Sequence, residues 1–123
     1  MFSKTILVGR VGATKPENYR EFDSGSKKFA FSVATSTSWY SKAENGYKSE
    51  TTWHNIEVWD KTAEYCAKNL SKGDLLCVEG AIKVNEYDGK KFYYILAHKV
   101  YRLSKSAAEK AEKQGKLDMG VPF

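Results

Sequence analysis

At 123 residues the chain has room for one compact domain and hardly for two. Its hydrophobic content of 41% and aromatic content of 14% support a packed core, and no apolar run approaches the length of a membrane span. A net charge of +5 points to a polyanionic partner without proving one, since many basic proteins bind no nucleic acid.

Thr5 to Val11 is a short apolar run of high strand propensity, with Gly9 and Gly12 as places for a bulge or sharp bend. The polar stretch from Ala13 to Lys28 reads as a loop or hairpin. In Lys28 to Thr35, Phe29, Phe31 and Val33 point one way and Ala30, Ser32 and Ala34 the other, a strand of period two. Ser36 to Thr51 is a long polar excursion holding the turn signal Asn45-Gly46. Thr52 to Trp59 is another strand.

Lys61 to Lys72 reads as a helix, because Ala63, Cys66, Ala67 and Leu70 recur at helical spacing. Asp60 suits its N-cap and Gly73 the left-handed position past its end. Asp74 to Val84 is a strand with a second bend point at Gly80. Asp88-Gly89 makes a tight turn, and Phe92 to Leu103 is the last strand. Cys66 and Cys77 lack metal-ligand spacing and read as two buried thiols of an intracellular protein.

Three strands, one short helix and two strands is the order of the all-β, five-stranded Greek-key OB barrel, whose helix joins strands three and four. Other small β-barrels compete with this reading; an SH3-like barrel would lack a helix there. Residues 1–103 form the expected domain, and 104–123, rich in Ala, Lys and Glu, a flexible tail. Without that tail the chain has 16 Lys/Arg and 12 Asp/Glu, so most of the basic excess lies on the folded part.

Thr52 to Trp59 is the most informative segment. Side chains alternate across a strand, so Ile56 and Val58 share a face with His54, while Trp53, Asn55, Glu57 and Trp59 share the other. Ile and Val take the core. The two tryptophans therefore lie on a polar face, open to a ligand or covered by a sister subunit or loop. Exposed aromatics beside lysines are what single-stranded nucleic acid needs, since each base stacked on an aromatic contributes about 1–3 kcal/mol whatever its identity. Lys42, Lys61, Lys72, Lys83, Lys90 and Lys91 flank the strands and could follow phosphates. Trp39 has the parity of Phe29 and Phe31, and reaches the ligand face only if a bulge or loop intervenes. Tyr87, beside the Asp88-Gly89 turn, falls on the loop between strands four and five, either a binding edge of such barrels or ordinary cross-strand packing.

The chain resembles the bacterial-type single-stranded DNA-binding protein family over roughly residues 3 to 103. The resemblance rests on Ile6-Leu7-Val8-Gly9 with Gly12, Ala34-Thr35-Ser36 leading to Ser38-Trp39, Thr52-Trp53-His54, Lys61-Thr62-Ala63-Glu64, Leu70-Ser71-Lys72-Gly73 and Val78-Glu79-Gly80. It implies an OB fold, a homotetramer with DNA wrapped around it, and sequence-independent coating of single strands in replication, recombination and repair. Trp39 and Trp53 match base-stacking tryptophans of the family. Trp59 stands where phenylalanine is frequent and Tyr87 where tryptophan is. Lys4, Lys42, Lys61, Lys72 and Lys83 match basic positions along the DNA path, whereas Glu86 departs from the basic residue of some relatives. His54 matches a subunit-interface histidine. The end, Leu117 to Phe123, retains Pro122 and Phe123 of a partner-docking tip for replication and repair proteins, with Asp118 its one acidic side chain.

No enzyme is expected. His54 and His98 lack partners at ligand or dyad spacing, and no HExxH, Walker loop, nucleophile elbow or CxxC occurs. No cofactor, metal or membrane partner is expected, and the location is cytoplasmic, with the nucleoid. Two alternatives stay open: a protein-interaction module of a replication assembly, and an RNA binder, because stacking does not sense the 2′-hydroxyl.

Overall fold

The computed structural model describes residues 2–105. Strand β1 (Thr5–Val11) is followed by a single 3-10 turn (Pro16–Asn18) and the short β2 (Tyr19–Glu21). Next come β3 (Lys27–Ser41), β4 (Gly46–Trp59), helix α1 (Asp60–Asn69), β5 (Leu75–Tyr87) and β6 (Lys90–Ser104). β1 pairs antiparallel with β5 and, at Arg10 and Val11, with β3; β3 pairs with β4, β4 runs parallel to β6, and β6 pairs with β5. The circuit of five strands is closed, and β2 is a short extension hung on the start of β3. This is the expected OB barrel, with its helix between the third and fourth barrel strands.

The core follows from the alternation. Phe29, Phe31 and Val33 of β3 meet Val58, Ile56 and His54 of β4 in register. All but the histidine are buried, together with Leu76 and Val78 of β5 and Ile95 and Ala97 of β6. Helix α1 closes one end of the barrel by burying Ala63 and Cys66, with Leu70 just beyond it. Burial pushes the Cys66 thiol up to about 12. Gly80 allows the barrel to close, since a Cβ there would stand 2.1 Å from the Leu96 carbonyl oxygen, and the β5–β6 register shifts between Glu79 and Gly80.

The polar excursion from Ser36 to Thr51, with its turn signal at Asn45-Gly46, is a hairpin. β3 and β4 remain paired without a break from Lys28↔Trp59 to Ser41↔Gly46, so an exposed two-stranded arm projects from the barrel. Hydrophobic alternation stops at Thr35 because no core lies under the arm, and so polar residues there do not mark a loop. The loop itself is residues 42–45, with Asn45 at φ 52.

The helix ends at Asn69 rather than Lys72. Asp74 competes for the next residues: its carboxylate accepts from the Ser71 N–H at 2.9 Å, and its own N–H donates to the Ser71 carbonyl at 3.1 Å. Gly73 does take a left-handed φ of 93°, but inside this turn. Asp60 makes no side-chain cap; its Oδ1 accepts from the Lys27 N–H at 3.2 Å. Cys77 is half-buried on the outer side of β5, not buried.

Candidate nucleic-acid interface

Opposite the core, the outer face of β3 and β4 carries large and small side chains in pairs. Trp53 faces Ala34, Asn55 faces Ser32, Glu57 faces Ala30 and Trp59 faces Lys28. The small partners leave an open floor. Over it runs a groove of about 410 Å³, with Lys15 and Asn18 on one bank and Asn85, Phe92 and Tyr94 of the β5–β6 hairpin on the other. A hollow beside Trp53 and His54 adjoins Tyr93, Tyr94 and Ile82.

The two tryptophans of this face differ in availability. Trp53 is 60% exposed. Its indole lies over Gly12, where a Cβ would come within 2.8 Å of the ring and 2.5 Å of the Ser32 hydroxyl. Gly12 is thus the seat of the indole. Gly12→Ala is expected to push Trp53 out of place, red-shifting its fluorescence and weakening oligothymidine binding, while a urea midpoint close to wild type would show the barrel intact. Trp59 is half-buried and already engaged. Phe22 stacks on it with ring centroids 5.7 Å apart at 22°, and its Nε1 donates to Glu57 Oε1 at 2.8 Å. The Lys28 ammonium stands 5.9 Å from its centroid.

Trp39 keeps its parity, because no bulge interrupts the β3–β4 register. It lies on the face of the arm opposite Trp53, beside its partner Lys48, and is 44% exposed. Tyr87 is the last residue of β5, 76% exposed, at a turn formed by Asp88 and Gly89 with φ of 51° and 75°. That pair of positive values is a type I′ hairpin turn.

The lysines are scattered around this framework. Lys83 faces the groove residue Tyr94 across β5–β6. Lys42 is exposed in the arm loop, Lys72 in the turn before β5 and Lys61 in the first turn of α1. Lys4 is elsewhere. It pairs with Glu79 at 2.8 Å on the outer side of β1 and β5, where hydrogen bonding to Glu79 holds its ammonium above the usual lysine range and Glu79 below the usual carboxylate range. On that side Ile6, Val8, Tyr101 and Leu103 are exposed hydrophobics. His54 is half-buried above the core and its Nε2 is 2.8 Å from the Thr35 hydroxyl. Asp118, Pro122 and Phe123 lie outside the described residues.

Several aromatic positions went unread in the sequence. Tyr47 continues the parity of Trp53 along β4, pairs with Tyr40 across the arm and meets it edge-on at 5.3 Å. The Tyr40 hydroxyl donates to Asn45 Oδ1 at 2.8 Å, and Tyr47 is 82% exposed. Phe92, Tyr93 and Tyr94 line the groove. Among the described residues no group of three or more His, Cys, Asp or Glu could hold a metal ion.

Comparison with known proteins agrees with this geometry. The model of the Single-strand binding protein family matches residues 2–111. A single-stranded DNA-binding protein of Neisseria meningitidis serogroup A is 40% identical over 89 residues, which are 72% of this chain and 49% of that protein. One from Chlorobaculum tepidum is 34% identical over 72% of this chain and 53% of its own length. The chain thus spans about half the length of the curated relatives it matches. Among solved structures, a Plasmodium falciparum SSB in complex with ssDNA is similar at a TM-score of 0.73 and 28% identity, covering 85% of this chain and 96% of that one. A small single-stranded DNA-binding protein from Streptomyces coelicolor shares the fold at a TM-score of 0.66 and 20% identity, covering 89% of this chain and 97% of that one. This chain belongs to the single-strand binding protein family.

Proposed function

We propose that the chain coats single-stranded DNA with little sequence preference, in replication, recombination and repair. The observation that carries this reading is the bare Trp53 indole, seated on Gly12 in a hollow that adjoins a groove lined by small side chains and aromatic rings. Bases can lie flat on such rings whatever their edges, and lysines around the groove can follow the phosphates. Trp53 is the principal platform. Trp59, Trp39 and Tyr87 contribute as secondary ones, with Lys42, Lys61, Lys72 and Lys83 as phosphate partners. Lys4, held by Glu79 on the apolar outer side of the β1–β5 pair, is a weaker candidate for DNA contact and a better one for a subunit contact.

That outer side supports a homotetramer. Ile6, Val8, Tyr101 and Leu103 each expose about half their surface there, and a second copy would cover them. His54 is the further interface candidate named by the resemblance. Docking of replication and repair proteins through Asp118, Pro122 and Phe123 belongs to the same proposal, as do a cytoplasmic location and the absence of catalysis.

The test is a fluorescence titration with oligothymidine and with a duplex of equal length. Strong quenching by the single strand and little by the duplex is expected. Log affinity should fall with log salt by about 0.7 per phosphate contacted. Equal or absent binding to both would favour a protein-interaction module instead, and stronger binding to an oligouridine competitor would favour RNA.

A further inference from the structure

The groove that is to receive a polyanion carries a carboxylate of its own. Glu57 lines it, half-buried, between Asn55 and Trp59 on the outer face of β4. Its two oxygens have different duties. Oε1 accepts the Trp59 Nε1–H at 2.8 Å, and Oε2 lies 3.4 Å from the Lys28 ammonium. Lys28 is Trp59's cross-strand partner and also lines the groove. In the free protein, therefore, the cation nearest the Trp59 ring is neutralised by an anion of the same face.

We infer that Glu57 is a built-in competitor of the DNA backbone, holding Lys28 and the Trp59 indole in place in the free protein and yielding Lys28 to a phosphate when a strand enters. The inference rests on the groove being the single-strand site. Its physical content is an exchange. A phosphate that takes Lys28 must displace a carboxylate, and the released carboxylate recruits a solvent cation. Counterion release, which drives binding of basic proteins to nucleic acid, is cancelled at this one contact. The ring stays ordered throughout, because the Nε1–H bond to Oε1 does not require the charge. Glu57 is thus a positioning residue for Trp59 and a brake on affinity at Lys28.

Glu57→Gln separates the two roles, because the amide retains an acceptor for Trp59 Nε1 and loses the charge. With oligothymidine at low salt, Glu57→Gln is expected to bind about two- to fivefold more tightly than wild type, the range of one partly exposed ion pair. Its log–log salt slope should steepen by about 0.7, one additional phosphate contact. In the Glu57→Gln background, Lys28→Ala should return affinity and salt slope to about the wild-type values. Oligodeoxycytidine is the second probe. A selective loss of its binding in Glu57→Gln would mean that the carboxylate reads a base amino group, and would overturn the inference. An unmoved affinity and slope with wild-type DNA binding intact would overturn it alone. Failure of the wild type to bind any oligonucleotide would instead remove the functional reading beneath it.

Discussion

Trp53→Ala is expected to weaken oligothymidine binding by about 1–3 kcal/mol, the contribution of one stacked base, with little change in the urea midpoint. Trp59→Ala should cost clearly less affinity and more stability. Parity puts both indoles on the same face, but their surroundings differ. The Trp53 ring is 60% exposed, rests on Gly12 and has no stacked aromatic neighbour among the described residues. The Trp59 ring has Phe22 across it, Lys28 near it and Glu57 on its Nε1–H. A base that stacks on Trp59 must replace Phe22 or accept the remaining edge, so part of its stacking energy is offset by a contact already made. Removal of the indole leaves Phe22 without its partner, a loss of about 0.5–1.5 kcal/mol beyond buried area. Fluorescence titration and urea unfolding of the two variants separate these effects. A Trp59→Ala variant that loses as much affinity as Trp53→Ala would show that Phe22 swings away freely and that the stack is no obstacle.

How far the site was legible depended on where the core lies beneath it. Under the barrel, Ile56 and Val58 declare the inner face, and Trp53, Asn55, Glu57 and Trp59 follow on the outer face by parity alone. In the arm there is no inner face, so Ser36 to Thr51 offered a turn signal at Asn45-Gly46 but no alternation to mark its strands, and Tyr40 and Tyr47 were lost among polar residues. Trp39 could be given a parity but not a location, because whether a bulge intervened is a property of the register and not of side-chain type. The helix end was misplaced because the buried carboxylate of Asp74, whose partner Ser71 lies three residues earlier, outweighs the helical spacing of the residues before it. The difference between Trp53 and Trp59 was beyond reach for the same kind of reason: Phe22 is distant in sequence and arrives only through the β2–β3 turn, which the Phe22 N–H closes on the Ser26 carbonyl at 2.8 Å. Periodicity reports what faces the core. It does not report what covers the outside.

The largest stability effect is expected at Asp74. Its side chain is fully buried, an unusual place for a carboxylate. It accepts from the Ser71 N–H at 2.9 Å and lies 3.7 Å from the Arg102 guanidinium, which itself donates to the Asn69 carbonyl at 2.8 Å. The backbone around it joins three elements. The Val11 N–H donates to the Asp74 carbonyl at 2.9 Å, the Gly73 N–H to the Val11 carbonyl at 2.8 Å, and the Arg10 guanidinium to the Gly73 carbonyl at 3.0 Å. One turn therefore ties the end of α1 to the end of β1 and to β6. Asp74→Ala removes the acceptor for a backbone N–H and the anionic partner of Arg102, and should cost about 3 kcal/mol, the lower end for a buried pair broken on one side. For a domain of this size that corresponds to a fall in Tm of roughly 10–20 °C. Asp74→Asn retains an acceptor for Ser71 and should lose markedly less. The effect extends to function, because Val11 precedes Gly12, on which the Trp53 indole is seated. At a temperature where Asp74→Ala is still folded, its tryptophan fluorescence should be red-shifted and its oligothymidine affinity lower than wild type. A variant with wild-type Tm would show that the turn holds without its carboxylate. One that loses stability but binds DNA with full affinity would show that β1 keeps its place by strand pairing alone.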